Sequence, residues 1–235
     1  MQLFYNPNIS ETATSFVFDK EESKHIIKVL RKKESDILHV TNGLGFLFIT
    51  QITVASDTKC TIKINSFEKQ EPSKFNLHLA VAPTKMNERY EWFLEKAVEI
   101  GIQEITPIIC EHSERKVIKT DRFQKILESA LKQSLHCYLP KLNEPILFKD
   151  YIKLNKLGQL FIAHCEETDR KSLKNELKIN EDVTILIGPE GDFSINEIEM
   201  AVANNFIPVS LGNTRLRTET AAIVACHSVV FKNEI

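Results

Sequence analysis

Two short stretches late in the chain combine glycine, proline and charge in a pattern that can hold a ligand. Residues 185–199 read ILIGPEGDFSINEIE, an apolar run that stops at Gly188-Pro189-Glu190-Gly191. Two glycines and a proline within four residues make a tight, rigid turn that lets backbone approach a ligand closely. Residues 209–230 read VSLGNTRLRTETAAIVACHSVV, where Leu211-Gly212 ends a second apolar run and a compact loop presents Arg215, Leu216 and Arg217. Guanidinium groups in such a loop can stabilise charge that develops on a substrate. Glu190 and Glu219 are the carboxylates nearest the loops and can accept a proton. Each also has a structural role open to it: Glu219 in a first helical turn complements the helix dipole, and Glu190 can hold its turn by hydrogen bonds. Neither GxGxxG nor GxxxxGK[ST] occurs, so a dinucleotide fingerprint and a P-loop are excluded.

The elements around these loops follow from periodicity. Residues 76–81, 105–109, 160–164, 183–187 and 206–211 read as strands. Between them, residues 85–100 repeat Met86, Tyr90, Phe93, Leu94, Ala97 and Val98 at helical spacing, with Gly101 at the C-cap position. A further helix is expected from Asp121, with Gln124 as a capping-box partner. Ser194 with Glu197 forms an S-x-x-E box opening the helix after the first loop, and residues 218–231 form a closing helix with small residues Ala221, Ala222, Ala225 and Ser228 near one face. Strand–helix alternation implies an α/β domain with a mostly parallel sheet covered on both faces, which binds ligands at the carboxyl ends of its strands. His164 and Cys165 end one of these strands and are expected at the rim of the site.

The first seventy or so residues differ. Residues 37–40, 46–54 and 59–67 alternate as strands with Asn42-Gly43 turning between the first two, and residues 22–31 place His25, Ile26, Val29 and Leu30 on one helical face. The polar passage ending at Lys74 marks the boundary, giving domains 1–71 and 72–235. The 235 residues carry 43% hydrophobic and 26% charged side chains and a net charge of -2, ordinary for a globular protein. No apolar run is long enough to span a membrane and the N-terminus is not that of a secretory signal, so a cytoplasmic location without membrane association is expected. Five scattered cysteines without a CxxC pair argue against a disulfide framework or zinc, and no metal is expected. Local charge is less balanced: residues 115–141 hold Arg115, Lys116, Lys119, Arg122, Lys125, Lys132 and Lys141 against Asp121 and Glu128, a stretch suited to a phosphate backbone or, equally, to a solvated helix face.

The two loop motifs carry a resemblance. GPEGDFS followed by SLGNTRLRTETAA resembles the knot motifs of the ribosomal RNA small-subunit methyltransferase E family, of the SPOUT superfamily. NERYEWFLEKAVEIGIQEITPI, HSERKV and KQSLHCYLP resemble other blocks of that family, and KHIIKVLRKKESD with NGLG resembles its PUA-like domain, so the likeness covers nearly the whole chain. Two departures stand out. The family often has Gly where this chain has Asp192, and a basic or apolar residue near Asn213 and Thr214.

The resemblance implies an N-terminal PUA-like RNA-binding domain and a C-terminal SPOUT domain with a deep trefoil knot. It implies S-adenosylmethionine bound by Ile187, Gly188 and Gly191 from one loop and by Leu211, Gly212, Leu216 and Arg217 from the other. The implied reaction is methylation of N3 of a specific uridine, position 1498, in 16S ribosomal RNA. Arg217, then Arg215, would stabilise the uracil anion, and Glu219 or Glu190 would take the proton. His25, Arg31 and Lys32 would grip RNA, with phosphate contacts added by Arg115, Lys116 and Arg122. A homodimer acting on RNA within the small ribosomal subunit is implied. Two alternatives stay open: a SPOUT enzyme methylating a ribose 2′-hydroxyl, and a non-catalytic RNA-binding assembly protein.

Overall fold

Alternating side chains early in the chain and apolar runs later in it build two different sheets. The computed structural model describes residues 1–166 and 170–234. Contacts group the chain into two compact units, Met1–Pro72 with Leu131–Leu139, and Ser73–Ala130 with the chain from Pro140 onward.

The first unit contains β1 (Leu3–Tyr5), β2 (Ser15–Val17), α1 (Lys20–Lys24), β3 (Ile37–Thr41), β4 (Phe46–Val54) and β5 (Thr61–Lys69). The strands lie in the order β1-β3-β4-β5-β2, with β1 parallel to β3 and the other pairs antiparallel. Phe4, Phe18, Leu38, Val40, Phe48 and Ile62 fill one core. Asp19 caps α1 by accepting from the Glu22 N–H at 2.8 Å. The chain then widens into a π-helical turn, His25–Val29, where the Leu30 N–H donates to the His25 carbonyl at 3.0 Å. This wider turn rotates later residues off the face expected from a 3.6-residue repeat: Ile26 is fully buried but Val29 is 66% exposed. At the Asn42-Gly43 turn, the Leu44 N–H donates to Asn42 Oδ1 at 2.9 Å.

The second unit contains β6 (Leu77–Val81), α2 (Asn87–Ile100), β7 (Glu104–Ile109), α3 (Thr120–Ser134) as far as Ala130, its last turn being grouped with the first unit, β8 (Lys141–Leu142), β9 (Ile146–Leu147) and α4 (Phe148–Tyr151). It continues with β10 (Gln159–Ala163), β11 (Lys171–Ser172), α5 (Leu173–Glu176), β12 (Val183–Ile187), α6 (Ile195–Ala203), β13 (Ile207–Ser210) and α7 (Thr218–Asn233). The sheet order is β11-β13-β10-β12-β6-β7-β8, with β9 also on β7, and its pairs are parallel. Every residue of β12, VTILI, is buried, as a central parallel strand covered on both faces requires. Gly101 ends α2 with φ 103°, its N–H donating to the Ala97 and Val98 carbonyls. The α3 helix begins at Thr120, one residue before the expected Asp121, and Gln124 donates to Glu128 at 3.2 Å. The Ser194–Glu197 box on α6 is complete in both directions. The α7 helix follows β13 yet packs on β6, β12 and α2. Among the described residues no helix is long and apolar enough to cross a membrane, and all five cysteines are free, with only Cys165 exposed.

Candidate functional site at the carboxyl ends of three strands

Strands β10, β12 and β13 are neighbours in the sheet and end at one edge, so the three segments that follow them converge. Together with the start of α7 they enclose a cavity of about 300 Å³. From β10 come Ala163, His164, Cys165 and Arg170; from β12, Ile187, Gly188, Pro189, Glu190 and Asp192. Val209 through Gly212 and Thr214 through Thr218 line the rest, with Ala221 of α7.

The glycines shape this wall. A Cβ on Gly188 would come within 3.1 Å of the Phe193 ring and 3.2 Å of its backbone nitrogen, so a side chain there would need the ring or the turn to give by a few tenths of an ångström. Gly212 has φ 148°, in the region that L-residues rarely adopt. Gly191 does not line the cavity; a Cβ on it would face His112.

Charge is concentrated at the wall. Arg170, Arg215 and Arg217 line it together with Glu190 and Asp192. Arg170 donates to the His164 carbonyl. Glu190, exposed, accepts from the Lys85 N–H at 2.9 Å. Asp192, with φ 62°, accepts from the Cys165 N–H at 2.6 Å and from the Phe193 N–H at 2.8 Å. It thereby ties the end of β10 to the loop after β12. His164 is 4% exposed, and neither ring nitrogen has a partner among the described residues. Burial lowers its pKa, so the ring is held neutral. Burial and the nearby Asp192 carboxylate raise the Cys165 thiol.

The cavity therefore brings together Ile187, Gly188, Glu190, Leu211, Gly212, Arg215, Leu216 and Arg217 of the residues expected from sequence, with His164 and Cys165, expected at its rim. Glu219 is not on the wall. It is buried, its Oε1 lies 3.8 Å from Arg89 Nε of α2, and its Oε2 has no partner among the described residues. The wall also includes Asp192, Arg170 and Thr218, which the motifs alone did not single out as ligands. Arg170 lies outside both motifs, directly before β11, which pairs with β13 at the cavity.

The residues expected to meet RNA lie elsewhere. Arg115, Lys116, Lys119 and Arg122 border a surface hollow with Lys85 and Glu114. Arg122 is committed to Glu91, with Nη2 at 2.8 Å from Oε2 and Nε at 2.6 Å from Oε1, and Lys85 pairs with Glu114 at 2.8 Å. In the first unit, His25 Nδ1 lies 3.0 Å from Glu22 Oε1, and Lys132 reaches the other oxygen at 3.5 Å. Arg31 is exposed in a left-handed backbone, φ 55°, and Lys32 is half-buried beside it. Among the described residues no group of three metal-ligating side chains occurs.

Comparison with known proteins accords with this arrangement. Residues 71–230 match the RNA methyltransferase domain model and residues 18–65 the RNA methyltransferase PUA domain model. A Buchnera aphidicola protein, ribosomal RNA small subunit methyltransferase E, is 34% identical over 222 residues, covering 89% of this chain and 85% of its own. A crystal structure from Porphyromonas gingivalis, described as a probable rRNA-methyltransferase, superposes with a TM-score of 0.93 at 40% identity, covering 100% of this chain and 99% of that one. A Legionella pneumophila protein solved with the bound cofactor SAM gives a TM-score of 0.86 at 29% identity, covering 97% and 96%. With its two domains matched in order and its whole length shared with such relatives, the chain belongs to the ribosomal RNA small subunit methyltransferase E family.

Proposed function

We propose that this protein methylates N3 of a specific uridine, position 1498, in 16S ribosomal RNA of the small subunit, using S-adenosylmethionine. The observation that carries this reading is the cavity at the ends of β10, β12 and β13, walled by both glycine loops and by arginines and carboxylates of one site. Its residues suit the cofactor. Ile187, Leu211 and Leu216 offer apolar contact to a purine. Backbone groups at strand ends can pair with the adenine edge, and both signs of charge are present for an amino-acid end. Gly191 serves the shape of the loop.

Bound S-adenosylmethionine supplies an electrophilic sulfonium methyl, whose transfer leaves a neutral thioether. The chain's own residues must align uridine N3 and remove its imide proton. Arg217, with Arg215 beside it, stabilises negative charge on the uracil ring. Glu190, at the rim and steadied by the Lys85 N–H, takes the proton. Glu219, turned to Arg89, positions the first turn of α7.

The PUA-domain match supports RNA contact by the first unit through His25, Arg31 and Lys32, and Arg115, Lys116 and Arg122 add phosphate contacts. The return of α7 onto β6 and β12 supports a knotted threading. A homodimer would draw on the partly exposed Ala221 and Ser228 of α7, because Ala222 and Ala225 are already buried within the chain. We place the boundary between an RNA-binding domain, 1–71, and a methyltransferase domain, 72–235; the start of the methyltransferase-domain match at residue 71 supports this.

The test offers purified protein and labelled S-adenosylmethionine 30S subunits, naked 16S RNA and a tRNA pool, followed by nucleoside mass analysis. N3-methyluridine with a small-subunit substrate is expected, with kcat lowered roughly 100- to 1000-fold in Arg217→Ala. A 2′-O-methyl product would refute the N3 assignment, and no transfer to any RNA would refute the enzyme reading.

A further inference from the structure

Asp192 is the one carboxylate on the cavity wall that is half-buried and fixed at both oxygens. Family members often carry glycine there, and the left-handed backbone of this position, φ 62°, suits glycine better than aspartate. Here the side chain offsets that cost by closing two hydrogen bonds to backbone N–H groups, at Cys165 and Phe193. Both partners are neutral. Among the described residues no lysine, arginine or histidine pairs with Asp192 within 4.0 Å, although Arg170 and Arg215 line the same cavity. The carboxylate therefore carries a negative charge with no direct ion-pair partner, on a wall otherwise rich in guanidinium groups.

The methyl donor and its spent product differ at sulfur by one methyl group and one unit of positive charge. Three arginines on the wall disfavour the charged form. Glu190, the other wall carboxylate, is exposed at the rim. Resting on the cofactor reading above, we propose that Asp192 is a specificity-determining residue that makes the pocket prefer the sulfonium donor over the neutral thioether product. The fixed charge acts on the sulfur centre through space, and its low exposure keeps solvent from screening it fully. After transfer the attraction disappears with the charge, which favours product release.

Calorimetric titration with S-adenosylmethionine and with S-adenosylhomocysteine, without RNA, tests this. Asp192→Asn keeps one of the two acceptors and a residue tolerant of left-handed backbone but removes the charge. Its affinity for the donor is expected to fall about tenfold, while that for the product changes less than about twofold. Asp192→Gly, the family's common residue, should lose the same donor preference even where loss of the tie to Cys165 weakens both ligands. Thermal melts of both variants establish that they fold. Equal weakening of both ligands in Asp192→Asn, or no change in either, overturns the proposal. Wild-type protein that binds neither ligand overturns the cofactor reading, and the inference with it.

Discussion

Arginine and lysine side chains on this protein differ in how far they are already committed. Arg122 gives two nitrogens to Glu91, whereas Lys116, exposed on the same hollow, has no ion-pair partner among the described residues. A phosphate must compete with the carboxylate for Arg122 but only with water for Lys116. Plots of log binding constant for 16S RNA fragments against log salt should therefore lose about one unit of slope in Lys116→Ala. Arg122→Ala should lose clearly less, and an equal loss would mean that Glu91 surrenders Arg122 on binding. The same distinction explains what was legible in the sequence at this scale. Gly188, Gly212, Leu216 and Arg217 announce themselves because their neighbours in sequence are their neighbours in the site. His164 is legible only as the end of a strand, and Arg170 not at all, because its place depends on strands meeting that are far apart in sequence. The pairing of Arg122 with Glu91 joins residues 31 positions apart, and nothing in a basic stretch reveals it.

Among the elements that line the cavity, the loop after β12 has little room to spare. Gly188→Ala would set a methyl group 3.1 Å from the Phe193 ring, inside ordinary contact distance. The Phe193 side chain is buried in the core shared with α4 and α6, so it has little freedom to move. A loss of about 1–3 kcal/mol is expected in denaturant titrations, with a larger relative loss of S-adenosylmethionine affinity. Wild-type stability in this variant would show that the turn is looser than its contacts indicate. The elements read correctly from sequence were those specified locally: β12 by its apolar run, α2 by its repeat and Gly101, and α6 by Ser194 and Glu197. The two-residue strands β8, β9 and β11 escaped because their only signal is a distant partner. Similarly, β1 is set by Leu3–Tyr5 pairing in parallel with His39–Thr41. The π-turn at His25–Val29 escaped because periodicity presumes a constant helical pitch.

At the scale of the whole molecule, stability toward acid depends on a histidine away from the cavity. His78 of β6 is held between Thr106 Oγ1 at 2.7 Å and the Tyr151 hydroxyl at 3.4 Å. Burial lowers its pKa to about 4 from an ordinary 6.5. The unfolded chain therefore takes up a proton at His78 before the folded one does. Stability should fall as pH drops from 6.5 toward 4, by about 3 kcal/mol from this group. His78→Gln, which retains a hydrogen-bonding group, should flatten that part of a stability–pH curve; an unchanged curve would assign the acid sensitivity elsewhere. The sheet that holds His78 also sets an order of events at the ribosome. Strand β6 pairs with β12, from Leu77↔Val183 to Val81↔Ile187, across about a hundred intervening residues. At ordinary elongation rates that gap lasts on the order of ten seconds. The hairpins of the first unit can close as they emerge, but β6 must wait with one edge unpaired until nearly the whole chain exists. The strands of the first unit can thus pair before the pocket at the ends of β10, β12 and β13 can be completed.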